Sequence, residues 1–346
     1  SSLLVSSFSS GLTKFLTSSD LMLSIDSYRD VFTSYLQEKI QIKDPASLYE
    51  PITYILKLGG KRLRPVLTLM TAEIFGTDHK VALNAALAVE VFHNFSLVHD
   101  DIMDDAPLRR GEETVHEKWD LNTGILSGDA MLIQAYQLFE SYENDTFRGL
   151  AQIFSKTALE VCEGQQYDVD FEVRNDVTEA EYLKMIEYKT AVLVGAAMKM
   201  GALVANASED DTQKIYDFGR LLGVAFQLQD DYLDAFGDPE TFGKQVGGDI
   251  IENKKTFLYL KAIENGSAND KEKLEAMFAS KNGIDNTAKI EFAKEVFDRS
   301  GASELTKKAI KNYTEQALEV LDSISVPDDK KQVLKDFGES LMFRTI

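Results

Sequence analysis

Two short acidic runs carry the strongest chemical signal in the sequence. Asp100-Asp101-Ile102-Met103-Asp104-Asp105 ends just before Pro107, and Asp230-Asp231-Tyr232-Leu233-Asp234 ends just before Gly237-Asp238-Pro239. Each reads Asp-Asp-x-x-Asp. On a helix the first and last carboxylates of such a run stand at i and i+4 and share a face, where like charges repel. Each run also closes a long apolar helical pattern, where the macrodipole disfavours anions. Local energetics oppose both clusters, so compensation must come from outside the helix, and divalent cations are the obvious candidates. One such run reads equally well as a solvated helix end; two copies behind two apolar helices do not. Oxygen donors without Cys or His in the triplets select Mg²⁺ or Mn²⁺ over zinc.

Cations stand where a diphosphate would need them. Gly59-Gly60-Lys61-Arg62-Leu63-Arg64-Pro65 sets three behind a flexible turn. Leu108-Arg109-Arg110-Gly111 follows the first acidic run, and Gly243-Lys244 through Lys254-Lys255-Thr256 follows the second. Arginine holds phosphate oxygens in pairs, and glycine lets backbone N–H groups approach. A formal net charge of −20 opposes nucleic-acid binding, which requires basic residues to displace counterions. It leaves open a small phosphorylated ligand held through metals.

The elements that must position these groups read as helices. The 346 residues are 44% hydrophobic, enough for a core. The six prolines leave 108–238 and 240–326 free of proline, as long helices require. Helical periodicity is clear over 81–105, 179–203 and 210–236, and alternating β-branched runs are nearly absent. The pattern predicts one all-α domain of ten or more helices, with the chain from about 265 onward devoted to packing. No apolar run approaches the roughly 18 residues of a membrane span. Residues 1–21 are Ser-rich and lack the basic start of a secretory leader; they read as an appended or poorly ordered extension to a domain over 22–346. Cys162, the single cysteine, excludes an internal disulfide and reads as a small buried apolar residue.

With these marks in order, the chain resembles the trans-isoprenyl diphosphate (polyprenyl) synthases over roughly residues 30–345. The marks are GGKRLRP at 59–65, HNFSLVHDDIMDDAPLRRG at 93–111, GQQYD at 164–168, Lys189-Thr190, FQLQDDYLD at 226–234 and GKQVGGDIIENKKT at 243–256. The resemblance implies a helical isoprenoid synthase bundle around a central cavity. Asp100, Asp104 and Asp230 would hold three Mg²⁺ ions, with Mn²⁺ as a substitute, and Asp101, Asp231 and Asp234 would support them. Arg109, Lys189, Thr190, Gln227, Lys244 and Lys254 would complete the site for an allylic diphosphate (dimethylallyl, geranyl or farnesyl). Gly60, Lys61, Arg64, His93, Arg109 and Arg110 would bind isopentenyl diphosphate. Gln165 and the oxygens near Lys189-Thr190 would stabilise an allylic cation. It further implies a cytoplasmic homodimer without stable membrane insertion, whose interface could use Leu126, Met131, Leu132 and Leu138.

In the family, side chains before the first motif set product length. The fifth, fourth and eighth residues before Asp100 are Phe95, Ser96 and Phe92. One aromatic at the fifth position, a small residue at the fourth and no insertion in the motif resemble geranylgeranyl diphosphate synthases, giving C20 as the expected product and C15 as the next. An ideal helix places Phe95 well off the Asp100 face, so Phe92 or a neighbouring helix is the other candidate floor. Three rivals are weaker. A class I terpene cyclase usually carries a different second motif. A non-catalytic regulatory subunit generally loses one motif. A di-iron bundle could use Glu90-x-x-His93 and Glu113-x-x-His116, but four bridging carboxylates on separate helices are not evident.

Overall fold

The computed structural model describes residues 22–242, 246–280 and 285–342, so the extension expected at 1–21 lies outside the described residues. The described chain forms α1 (Ile25–Lys39), α2 (Ala46–Lys57), α3 (Leu63–Ile74), α4 (Leu83–Met103), α5 (Val115–Lys118), α6 (Leu121–Gln137), α7 (Asn144–Phe171) and α8 (Glu179–Ile186). It continues through α9 (Val192–Val204), α10 (Glu209–Phe236), α11 (Pro239–Phe242), α12 (Gly248–Ile251), α13 (Phe257–Asn265), α14 (Ala268–Ala279), α15 (Asn286–Arg299), α16 (Ala302–Asp322) and α17 (Asp328–Met342). The only strands among the described residues are β1 (Leu108–Arg109) and β2 (Glu112–Glu113). The all-α expectation holds. The described chain divides into two compact units, one within 22–155 and 196–213, the other within 156–195 and 214–342.

The first unit is built on α4. Ala85 to Val89, Val91 and Phe92 are all buried, and a helix apolar all round belongs in a core. Together with its preceding turn, the segment His79–Met103 is long and apolar enough to cross a membrane by length and composition, with 61% of its most apolar stretch buried. That corrects the reading that no run approaches spanning length: the apolar residues there are interrupted by small and polar ones, charged Glu90 among them, rather than contiguous. α6 packs closely on α4 because Gly124 and Gly128, one turn apart, face Ile102 and His99. A Cβ at Gly124 would come within 2.9 Å of Ile102 Cδ1, and one at Gly128 would overlap the His99 ring. His99 is thereby packed, and its Nε2 lies 3.1 Å from the Ile125 carbonyl.

In the second unit, Tyr182, Ile186, Leu228, Leu233 and Phe257 form one apolar cluster, and Leu258, Tyr259, Phe278, Ala293 and Phe297 lie in another. A side-chain capping box, Thr178 with Glu181, starts α8. Between α8 and α9 the predicted single helix widens into a π segment, Glu187–Ala191. The flanking helices approach it through glycines. A Cβ on Gly164 of α7 would lie 2.8 Å from Lys189 Cα, and one on Gly223 of α10 would lie 2.9 Å from Ala191 Cα.

Cys162 is exposed, against expectation. Leu150, Ile153, Phe154, Thr157, Val161 and Gly164 define the inward stripe of α7 at three- and four-residue steps, and position 162 falls outside it.

Candidate active site

The first acidic run ends α4, with Asp104 as its C-cap. Asp101 is buried and turned onto Arg109, which donates from Nε to Oδ2 and from Nη2 to Oδ1, both at 2.8 Å. This paired, charge-assisted contact fixes the plane of the guanidinium. Asp100 is half-buried and Asp104 exposed. Arg109 belongs to a two-stranded hairpin whose register pairs Leu108 with Glu113 and Arg109 with Glu112. Its turn residues, Arg110 and Gly111, have φ of 51° and 78°, the left-handed pair of a type I′ turn. Tyr54 Oη donates to the Glu113 carbonyl at 2.7 Å and Thr114 Oγ1 to the Ala106 carbonyl at 2.7 Å, tying the hairpin to α2 and to the end of the acidic run.

The GGKRLRP segment divides its cations. Arg62, the left-handed N-cap of α3, points inward, donates to the Leu56 carbonyl and lies 3.5 Å from buried Glu90. Asn94 Nδ2 donates to Glu90 at 3.2 Å. Lys61 is exposed, and its carbonyl accepts from Arg29 Nε at 2.8 Å. Arg64 Nη1 lies 3.4 Å from His93 Nε2. Gly60, at φ 120°, makes room for Arg110: a Cβ there would lie 2.8 Å from Arg110 Nη2. The unit thus gathers Arg62, Arg64, Arg109 and Arg110 around His93 and Glu90. Burial raises the Glu90 carboxyl pKa, opposed by Arg62, Arg64 and Arg110. Burial and then the arginine charges hold His93 well below the usual imidazole value. Burial and the neighbouring Arg109 also lower Arg110.

In the second unit, Asp231 is buried at the end of α10 and accepts from Tyr182 Oη and, at 3.2 Å, from Gln227 Nε2. Burial and the nearby Asp249 push its pKa up, and the two donors pull it back. Asp234 accepts from the Asp249 backbone N–H at 2.9 Å, organising the turn into α12. Lys189 Nζ lies 2.6 Å from Asp168 of α7, so the π segment and the GQQYD stretch meet in one ion pair. Thr190 is half-buried on the same segment. The buried Oε1 of Gln165 has no hydrogen-bond partner. Lys254 is exposed, 3.4 Å from Glu252 and 3.9 Å from Asp249. Lys255 instead donates to the Arg174 carbonyl at 2.7 Å and to Asn175 at 2.9 Å. Lys244 lies outside the described residues.

The residues ahead of the first motif form an aromatic stack. Phe92 is buried, with ring centroids 5.6 Å from Phe95 and 5.2 Å from Phe154. Phe95 is half-buried against His99, at 4.8 Å. Ser96 Oγ donates to its own helix at the His93 carbonyl. The di-iron spacing dissolves: Glu90 faces Arg62 and Asn94, and Glu113 lies on a strand. Tyr182 and Asp249, which bond to Asp231 and Asp234, are not singled out by the sequence; Glu90 stands there only as half of a Glu-x-x-His pair and Asp168 only within GQQYD. Each lies on an ordinary helix or turn, and only the pairing across elements reveals it.

Fold and site together define an all-α isoprenoid synthase. Residues 45–296 match the polyprenyl synthetase family model. The chain belongs to that family, as its motifs led one to expect. It is 38% identical to a geranylgeranyl diphosphate synthase of Methanosarcina mazei over 87% of this chain and 91% of that protein. It is 34% identical to a geranylfarnesyl diphosphate synthase of Natronomonas pharaonis, covering 95% of this chain and 100% of the relative. A crystal structure of a geranylgeranyl pyrophosphate synthase superposes with a TM-score of 0.90 at 56% identity, covering 94% of this chain and 100% of the other.

The arginine pocket sets a pH dependence. With its pKa depressed in the fold, His93 binds fewer protons folded than unfolded below about pH 6.5. Its contribution is full above that pH and is lost as pH falls toward the folded pKa. Glu90, raised in the fold, has the opposite sign: its contribution is present below about pH 4.5 and is lost as pH rises. Urea unfolding of wild type and His93→Gln at about pH 7 and pH 5 separates the two, because only the His93 share differs. The difference in stability between wild type and variant should shrink on acidification; an unchanged difference would place the acid sensitivity elsewhere.

Proposed function

We propose that this chain condenses isopentenyl diphosphate with an allylic diphosphate, head to tail, to make a trans prenyl diphosphate, C20 in length. One observation carries the reading. Two helices end in the same Asp-Asp-x-x-Asp build, and in both the second aspartate is buried against donors of its own unit, Arg109 or Tyr182 and Gln227. The oxygen-only first and fifth positions suit Mg²⁺. Asp100 and Asp104, with Asp230, would hold three Mg²⁺ ions. When bound, Mg²⁺ neutralises the allylic diphosphate and stabilises charge on the departing pyrophosphate.

The chain's own groups do the rest. Arg109, oriented by Asp101, and Lys189, oriented by Asp168, grip diphosphate oxygens with Thr190, Gln227, Lys244 and Lys254; Asp231 and Asp234 brace the second motif. Gly60, Lys61, Arg64, His93 and Arg110 receive isopentenyl diphosphate, and the neutral imidazole donates a hydrogen bond without adding charge. The allylic C–O bond breaks, the alkene attacks the resulting cation, and the released pyrophosphate accepts the lost proton. The unpartnered oxygen of Gln165 supports a role in stabilising that cation. No Ser, Cys or His nucleophile is needed. The intact second motif weighs against a terpene cyclase and against a regulatory subunit. The product chain would run along α4 to a floor at Phe95 or Phe92, with Ser96 leaving room between.

We further propose a cytoplasmic homodimer. The apolar stretch of α4 is mostly spent in packing, which favours a soluble enzyme over an inserted one. α6 keeps Met131 in the core, Leu132 and Leu138 at its margin, and Leu121, Ile125, Leu126 and Ile133 exposed, which suits a second copy.

Incubation with isopentenyl diphosphate, each allylic primer and millimolar Mg²⁺ should yield C20 prenyl diphosphate, and excess EDTA should abolish it. Asp100→Ala and Asp230→Ala should each lower kcat by about 10²–10³-fold or more, with folding unharmed because a repelling i, i+4 pair is relieved. Activity within tenfold of wild type would remove that motif from the metal site. Phe95→Ala should lengthen the products by C5 units; lengthening in Phe92→Ala alone would move the floor one turn deeper. Sedimentation should give a dimer that Leu126→Glu with Ile133→Glu dissociates, and a dimer intact in that variant would place the interface elsewhere.

A further inference from the structure

A histidine just past the first acidic run is buried with nothing to bond. The His116 side chain, on α5, is 8% exposed, and neither ring nitrogen has a hydrogen-bond partner. Buried imidazoles rarely stay in that condition, because stripping the nitrogens of water without replacement is unfavourable. Nε2 faces two carboxylates, 3.8 Å from Asp105 Oδ1 and 3.9 Å from Glu117 Oε1. Those distances are too long for hydrogen bonds. They suit three atoms arranged around a common partner. The three ligand atoms lie within 4.8 Å of one another. A point equidistant from atoms so spaced is about 2.2–2.5 Å from each, within a small contraction of transition-metal bond lengths.

We propose that Asp105, His116 and Glu117 bind one divalent transition metal, with Zn²⁺ the best match to one imidazole and two carboxylates. The site differs in chemistry from the all-oxygen set of Asp100 and Asp104, since a nitrogen ligand selects against Mg²⁺. The second grouping of this kind in the same unit, Glu73 with Asp78 and His79, serves as a contrast. There the imidazole is already satisfied: His79 Nδ1 is bonded to Glu73, and its ring packs edge-on against Tyr28. An ion at His116 would bridge Asp105, left-handed at φ 48°, to α5 and so close the chain segment that carries the Arg109–Arg110 hairpin. The bound metal is therefore a brace for that hairpin, and the inference does not depend on what the hairpin binds.

The test is calorimetric titration of tag-free, full-length protein with Zn²⁺ alone, in saturating Mg²⁺ so that all-oxygen sites are filled. Co²⁺ serves as an optical probe of nitrogen ligation. Wild type should take up one Zn²⁺ per chain and develop visible Co²⁺ bands. Asp105→Asn and Glu117→Gln should each weaken zinc binding at least tenfold. Both side chains are exposed, at 93% and 47%, so these variants keep the fold where His116→Ala could lose it. Asp104→Asn should bind as wild type does. An absence of zinc uptake by wild type, or uptake that survives both carboxylate variants at undiminished affinity, overturns the assignment.

Discussion

Repulsion among carboxylates at a helix end is the constraint on which the rest of this structure turns. Three aspartates within five residues, at the end where the macrodipole is negative, would unravel an isolated helix. Both helices relieve the problem in the same way. The second aspartate is drawn into the protein and neutralised or hydrogen-bonded there, by Arg109 in one unit and by Tyr182 and Gln227 in the other. What remains is a pair separated by one turn, an arrangement that a divalent cation can complete. The inward aspartate thus has two roles. It removes a charge from the crowded face, and it sets the orientation of a neighbouring donor.

Positioning of the cations depends on backbone geometry more than on side-chain packing. Lys189 stands on a π segment that Gly164 and Gly223 approach so closely that a methyl group on either would collide with main-chain carbon. Arg109 and Arg110 stand on a hairpin with the tightest possible turn. Arg62 sits at a left-handed N-cap, where its side chain is directed to Glu90 rather than to solvent. In each case a local departure from regular helix places a charged group that a straight helix would have carried elsewhere. π-turns and left-handed residues often mark functional sites for this reason.

Those departures also explain what could be read from the sequence. The span and register of α4 and α10 were legible because their apolar periodicity is strong and their ends are marked by acidic runs and proline. The pairing of Lys189 with Asp168, 21 residues apart, was not legible, since nothing in either segment names the other. The hairpin at 108–113 lacks the Asn-Gly or Asp-Gly signal of its turn type and spans only two residues per strand. Glu90 looked like half of a metal-binding pair; its actual partner, Arg62, is one of the three cations of GGKRLRP, and the substrate set drawn from that segment took only Gly60, Lys61 and Arg64. Composition alone does not reveal which of three adjacent basic residues turns inward. Cys162 failed for a simpler reason: residue type predicts burial only on average, and the phase of α7 overrules it.

The arginine pocket shows why its one histidine must be neutral. Four guanidinium groups share a small region with two buried carboxylates: Asp101, paired to Arg109, and Glu90, whose own ionisation is opposed by burial. A charged imidazole there would be stripped of water and would add a fifth cation, and the depressed pKa of His93 follows from burial first and from the arginine charges second. The pocket is left with an excess of positive charge inside a chain of net charge −20. Such a local inversion of sign focuses the field on small anions while the surrounding surface repels large ones such as nucleic acids. The pocket is therefore electrostatically incomplete by itself, and a small anion would supply the negative charge that the protein withholds.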